Sequence, residues 1–194
     1  MGYGSRTDET GAELRADGAA PILTGQNVTG NVITYFGMSK DQDGNTVDNR
    51  AEIQFRQSNG AKFTYTFFDS DQGWAQDKVN TELLHICTKL GVTKDEYYAA
   101  LPGENISFTS MITAIQENIM PKAEGKTFTL KIVYKENKNN GKWYAQFPNF
   151  PNFIEEDGTN PTTFNTNPKY DFYTIPSATT DSELEASSST ENVF

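Results

Sequence analysis

The sequence is poor in the residues on which most enzyme active sites depend. It holds one histidine, His85, and one cysteine, Cys87, among 194 residues. A Ser-His-Asp or Cys-His arrangement would have to use His85. His85 and Cys87 lie two positions apart in a predicted helix, and such positions do not share a helix face. We therefore predict that the protein is not an enzyme.

Sequence motifs for bound metals and cofactors are also missing. The chain has no CxxC pair, HExxH motif, EF-hand loop, GxxxxGK[ST] or GxGxxG, so the usual zinc, calcium and nucleotide sites are not indicated. Asp69 and Asp71 follow a predicted strand, but loop aspartates that cap the next helix are commoner than magnesium ligands. We predict no metal and no cofactor.

Long apolar runs are absent as well. No stretch approaches the roughly 20 apolar residues of a membrane-spanning helix, and residues 1–20 contain no apolar core of signal-peptide length. A single cysteine cannot form a disulfide within the chain, which favours a reducing compartment. We expect a cytoplasmic protein without a membrane partner.

Acidic residues exceed basic ones, and the formal net charge is −10. The excess is concentrated towards the C-terminus. Residues 24–153 carry thirteen basic and fourteen acidic side chains, a net charge of −1, whereas residues 154–194 carry one basic and eight acidic side chains, a net charge of −7. The charge of the whole chain therefore does not exclude a nucleic-acid partner for its central part.

Composition and periodicity divide the chain into three parts. Residues 1–22 have almost no large apolar groups, which predicts a disordered N-terminal arm. Residues 23–154 carry strand and helix patterns and form the predicted folded domain. Residues 155–194 lack periodicity and end in a Ser-, Thr- and acid-rich stretch, which predicts an acidic, largely disordered tail.

The clearest local pattern is a β-hairpin. Residues 50–57 and 61–68 each alternate apolar and polar side chains, as half-buried strands do, and Ser58-Asn59-Gly60 between them indicates a tight turn. An earlier strand covers residues 28–38, and two later strands cover 126–135 and 142–147.

The segment between the third and fourth strands has helical patterns. One helix begins at Asp71 or Gly73 and places Trp74 with its apolar residues, a second opens with a capping box at Thr93, and a third opens near Ser107. This order predicts a mainly β fold with inserted helices, an OB-fold-like five-stranded barrel. A β-sandwich or an α+β fold is compatible with the same order.

Basic and aromatic residues share the strand faces that are predicted to point away from the core. Cations follow phosphates, and flat rings stack on bases without reading sequence. The candidate nucleic-acid-binding residues are Tyr35, Arg50, Arg56, Lys62, Phe68, Lys126, Lys131, Lys135, Lys142, Trp143 and Tyr144.

Two further segments have two interpretations each. The run 147–153, Phe-Pro-Asn-Phe-Pro-Asn-Phe, either closes one end of the barrel with its rings or lines a groove or an interface. The acidic tail, which stops on Phe194, has either a solubilising role or a binding role. In the binding role its acidic residues compete with nucleic acid for the cationic groove, and Glu191 and Phe194 dock into a basic pocket of a partner.

The hairpin at 50–68, the strand pair at 126–147 with its Phe-Pro-Asn-Phe extension, and the tail ending in Phe194 together resemble phage-type single-stranded DNA-binding proteins of the OB-fold class. The resemblance implies coating of single-stranded DNA, with low sequence specificity, in DNA replication, recombination and repair. It also implies that the tail recruits a replication protein such as a polymerase, primase or helicase. For a phage-encoded protein it implies a location in the bacterial host cytoplasm, and a homo-oligomer is compatible with it. The alternative is a phage virion structural or cargo protein with a β-rich assembly domain.

Overall fold

The computed structural model describes residues 6–7, 13–14, 20–103, 105–148, 152–158 and 164–176. Its strands are β1 (Arg6–Thr7), β2 (Glu13–Leu14), β3 (Gly25–Lys40), β4 (Thr46–Arg56), β5 (Lys62–Phe68), β6 (Phe128–Asn137), β7 (Lys142–Gln146) and β8 (Ile154–Glu156). Its helices are α1 (Gly73–Lys89), α2 (Lys94–Ala100) and α3 (Phe108–Asn118), followed by a 3₁₀ turn at Met120–Ala123. No helix of these residues is long and apolar enough to cross a membrane.

Six strands form one open antiparallel sheet in the order β5-β4-β3-β6-β7, with β8 also paired to β6. The short strands β1 and β2 pair with each other. The long strand β3 takes part in two ladders, because residues 25–31 pair with β6 and residues 32–40 pair with β4. Gly30 lies where β3 changes partner, with φ of +73°, and a Cβ there would stand 3.3 Å from the Ser58 Cβ. The bend of β3 therefore requires glycine.

The prediction of a mainly β fold with inserted helices is confirmed, since α1, α2 and α3 lie between β5 and β6. A closed barrel is not shown, because no ladder among the described residues joins β5 to β7. The predicted hairpin is confirmed. Phe55 lies opposite Phe63, and Gln57 donates its N–H to the Ala61 carbonyl at 2.8 Å across the turn.

The core lies between one face of the sheet and the helices. β4 and β5 contribute Ile53, Phe55, Phe63 and Phe67, which are all at most 1% exposed. The helices α1 and α3 contribute further buried residues: Val79, Leu83, Ile86, Cys87, Ile112 and Ile115. Helix α2 begins with the predicted capping box, in which the Thr93 hydroxyl accepts from the Glu96 N–H and the Glu96 carboxylate accepts from the Thr93 N–H.

The Phe-Pro-Asn-Phe run lies between two strands that share one neighbour. Both β7 and β8 pair with β6, one after the other. Between these ladders the chain passes through the seven residues 147–153, whereas only two residues of β6, 131 and 132, separate the two ladders. Phe147 and Phe153 point into the core, are 1% exposed and stack on each other with ring centres 4.2 Å apart. For these two rings the core interpretation is confirmed, whereas Phe150 lies outside the described residues.

His85 contacts the C-terminal end of this run. Its Nε2 accepts a hydrogen bond from the Asn152 N–H at 3.2 Å, and its ring packs edge-on against Phe153. Burial, together with the nearby Lys89 ammonium, lowers the pKa of His85 to about 4, and the Glu155 carboxylate opposes both. The neutral imidazole is therefore the form that fits the folded protein.

We expect the free energy of unfolding to fall as the pH is lowered from about 6.5 towards 4. The unfolded chain binds a proton at His85 near pH 6.5, whereas the folded chain binds it only near pH 4, so the proton stabilises the unfolded state in that window. Urea unfolding of the wild type and of His85→Gln at several pH values measures this contribution. Carboxylates titrate in both proteins, so only the difference between their free energies of unfolding reports on His85. If that difference stays constant between pH 6.5 and 4.5, the prediction is contradicted.

The folded part continues past the predicted boundary at residue 155, which falls inside β8. Residues 164–176, called the returning segment below, lie against β3 and β6. Phe164 is 3% exposed, and Tyr134 donates its N–H to the Phe172 carbonyl at 2.6 Å. Thr24 donates its hydroxyl to the Tyr173 carbonyl at 2.7 Å. The predicted tail residues Glu191 and Phe194 lie outside the described residues.

Candidate nucleic-acid interface

The side of β4 and β5 that points away from the core carries the residues that the sequence singles out. In the ladder Arg56 lies directly opposite Lys62, and Arg50 lies directly opposite Phe68. We call this surface the hairpin face, and it consists of Arg50, Glu52, Gln54, Arg56, Lys62, Thr64, Thr66 and Phe68. At about 3.3 Å per residue the two pairs are separated by about 20 Å along the strands.

The cations of the hairpin face have no acidic partner among the described residues. Arg56 and Lys62 are exposed, and none of the ion pairs within that part of the chain involves them or Arg50. Arg50 is half-buried, and its Nε is a buried donor without a hydrogen-bond partner in the same part of the chain. Arg56 and Lys62 are therefore available to an external anion, and the half-buried Arg50 adds a third positive charge without a carboxylate partner in that part of the chain.

Tyr35 reaches the same side of the sheet from β3, where it lies opposite Gln54. Its hydroxyl donates to the Met38 carbonyl at 2.6 Å, which fixes the half-buried ring. Burial raises the pKa of Tyr35, and the carboxylate of Glu52 raises it further. Glu52 is the acidic residue of the hairpin face, and it accepts hydrogen bonds from Gln54 and Ser39.

Two of the predicted phosphate contacts, on and before β6, are lysines that already have carboxylate partners. Lys131 Nζ lies 2.5 Å from the Asp171 carboxylate and 2.7 Å from the Asn165 carbonyl. The side chains of this ion pair are only 7% and 4% exposed. Lys126 Nζ lies 2.6 Å from the Glu156 carboxylate. The returning segment and β8 supply these partners, so Lys126 and Lys131 stabilise the fold.

The other predicted residues lie at the β6–β7 end of the sheet. Lys135 is opposite Tyr144 in the ladder, and Lys142 is exposed opposite Asn137. Burial, together with the Lys78 ammonium, lowers the pKa of Lys135 to about 8, whereas Glu82 and Asp171 oppose this. Lys135 is therefore a half-buried group and a weaker phosphate contact than the sequence implies.

The two aromatic residues of β7 are held by neighbours. Trp143 is half-buried and meets Phe172 of the returning segment edge-on, with ring centres 5.5 Å apart. The Tyr144 hydroxyl accepts a hydrogen bond from the Asn140 side chain at 3.1 Å. Trp143 already has an aromatic partner, so it is less available to a base than a free ring.

Two features of this surface do not follow from the sequence patterns. The returning segment lies in the part of the chain that the sequence assigns to the tail, where no periodicity marks it. The helical spacing predicts Trp74 on the apolar side of its helix, yet Trp74 is 72% exposed.

No metal-binding group of three or more His, Cys, Asp or Glu side chains occurs among the described residues. In comparisons with known proteins, no family model and no curated sequence matches this chain.

Proposed function

We propose that the protein binds single-stranded DNA, with low sequence specificity, through the hairpin face and Tyr35. The observation that carries this proposal is the ladder that sets Arg56 beside Lys62 and Arg50 beside Phe68, with these cations lacking carboxylate partners among the described residues. A row of cations holds the phosphates, and an exposed ring stacks on a base whatever its identity.

The energetics of such a face suit binding without sequence readout. Each phosphate that a cation neutralises releases a counterion, so affinity falls with salt by about 0.7 in the log–log slope per contact on single strands. Stacking adds about 1–3 kcal/mol per base. Between the Arg56–Lys62 and Arg50–Phe68 pairs, the hairpin face carries the uncharged Gln54, Thr64 and Thr66 and one acidic residue, Glu52. The Glu52 carboxylate accepts hydrogen bonds from Gln54 and Ser39.

An OB-like architecture is the finer part of the proposal. The order β5-β4-β3-β6-β7, with β3 bent at Gly30 and shared between two ladders, corresponds to the strand order of that fold. The opening between β5 and β7 is bridged by side chains, since Tyr65 packs on Phe147 with ring centres 4.9 Å apart. The Tyr65 hydroxyl lies 3.1 Å from both carboxylate oxygens of Glu82 on α1.

The place of the protein in replication, recombination and repair is part of the same proposal. In it the tail beyond residue 176 recruits a replication protein through Glu191 and Phe194. The alternative role in virion assembly relies on the Phe-Pro-Asn-Phe run as an exposed patch. Phe147 and Phe153 are in the core, so those two rings do not favour it.

Removing the cation pair at the turn end of the hairpin tests the function. We expect Arg56→Ala/Lys62→Ala to weaken binding to a labelled oligonucleotide, and to make the log–log salt slope shallower by about 1.4, because two phosphate contacts are lost. Fluorescence anisotropy at several salt concentrations measures both quantities.

A matched control removes the same charge elsewhere. Lys94 and Lys122 are exposed on α2 and on the 3₁₀ turn, so Lys94→Ala/Lys122→Ala should leave the slope unchanged. Equal slopes for the two double variants would refute the hairpin face as the binding site. No binding by the wild type at low salt, with or without residues 177–194, would refute the function itself.

A further inference from the structure

Two exposed aromatic residues lie on either side of the loop that joins β5 to α1. Phe68, the last residue of β5, is 60% exposed, and Trp74, in the first turn of α1, is 72% exposed. They are the two most exposed large hydrophobic side chains in the described part of the chain. Apolar surface of this kind, beside cations, is typical of a binding site.

The position of Trp74 on α1 keeps it away from the core. At 100° per residue, the buried residues Val79, Leu83 and Ile86 lie about 120–180° round the helix from Trp74. The tryptophan therefore projects from the solvent side of the helix, and no folding requirement explains its size. A smaller polar residue would satisfy the fold at this position.

The loop between the rings is folded and held by hydrogen bonds. Asp69 donates its N–H to the Asn49 carbonyl at 2.9 Å, which ties the loop to β4. The Gln76 side chain donates to the Ser70 carbonyl at 2.7 Å, which ties it to α1. Six residues of fully extended chain span about 20 Å, so the Cα atoms of Phe68 and Trp74 are no further apart than that, and the folded loop brings them closer.

Charges near the rings give a bound strand an orientation. Arg50 lies across the ladder from Phe68 and has an Nε without a partner among the described residues. The loop itself carries Asp69 and Asp71, which repel phosphates. A strand with its phosphates over Arg50 would therefore direct its bases towards the loop and the two rings, where stacking needs no positive charge.

We propose that Phe68 and Trp74 form a base-stacking site for single-stranded nucleic acid at the α1 end of the hairpin face. The inference rests on the proposed function and adds a residue that lies outside the strands. It also reassigns the stacking tryptophan, because Trp143 is half-buried with an edge-on contact to Phe172 whereas Trp74 is open to solvent. Bases that stack on tryptophan quench its fluorescence, so the two tryptophans of this chain can be distinguished.

The experiment uses the full chain with a single emitter. Trp143→Phe leaves Trp74 as the only tryptophan, and Trp74→Phe leaves Trp143. Titration with unlabelled oligo(dT) should quench the emission of Trp74 strongly and change that of Trp143 little. In parallel, anisotropy of a labelled oligonucleotide should show about 5–150-fold weaker binding for Trp74→Ala, the equivalent of one stacking contact, and near-normal binding for Trp74→Phe.

The outcomes separate this inference from the function on which it rests. Normal binding by Trp74→Ala with unquenched Trp74 emission would overturn the stacking site and leave the function in place. Quenching of Trp143 instead of Trp74 would overturn the reassignment. No anisotropy change for the wild type would overturn both. Because Trp74 is outside the core, the circular dichroism and unfolding midpoint of its variants should match the wild type.

Discussion

Replacing Lys131 by alanine is expected to lower the free energy of unfolding by about 3–5 kcal/mol, the typical cost of removing one partner of a buried ion pair. The change leaves the Asp171 carboxylate, whose side chain is 4% exposed, without its cation. It also removes a donor from the Asn165 carbonyl. Urea unfolding followed by circular dichroism measures the loss.

The matched control replaces both charges. Lys131→Met/Asp171→Leu should cost far less than Lys131→Ala alone, because a buried pair replaced by apolar groups of similar volume is often neutral. The residual cost comes from the Asn167 N–H, which donates to Asp171 at 2.5 Å. An alanine variant as stable as the wild type, with weaker DNA binding, would instead restore Lys131 as a phosphate contact.

A second large effect is expected at the first ring of the Phe-Pro-Asn-Phe run. Phe147→Ala should lower the free energy of unfolding by about 3–5 kcal/mol, as removal of a buried phenylalanine ring typically does. The ring is 1% exposed and lies within 6 Å of the ring centres of Phe55, Phe63, Tyr65 and Phe153. Urea and thermal unfolding provide the measurement.

Phe68 supplies the control for this effect within the same chain. It is 60% exposed, so Phe68→Ala should change stability by no more than about 0.5 kcal/mol while weakening DNA binding. Phe147→Leu, which keeps part of the apolar volume, covers the case in which the alanine variant does not fold. A cost below about 1 kcal/mol for Phe147→Ala would show that the ring is not in the core.

The hairpin face could be predicted because it depends on short-range pattern. Alternation over residues 50–57 and 61–68 determines which side chains share a face, and the turn at Gly60 sets the register between the strands. In the structure this arrangement sets Arg56 opposite Lys62 and Arg50 opposite Phe68. The capping box at Thr93 is confirmed for the same reason, since it depends on residues three positions apart.

The environment of Lys131 could not be predicted in this way. Alternation shows that the lysine points away from the core, but it does not show whether solvent or another segment lies there. The segment that covers it begins more than thirty residues later. It is held by isolated groups such as the Asp171 carboxylate, which binds Lys131, and the Phe164 N–H, which donates to the Asn27 side chain. No period connects them in the sequence. The prediction for Trp74 is wrong because apolar spacing in a helix does not determine where its first turn faces.

The run 147–153 also affects how one copy of the protein meets another. Exposed sheet edges attract strands from other chains, and short edge strands and prolines reduce this risk of aggregation. The run divides the edge beside β6 into five-residue β7 and three-residue β8, and Pro148 near its start has no N–H to donate. The same run that fills the core thus keeps this edge too short and too irregular to recruit a neighbouring molecule's strand.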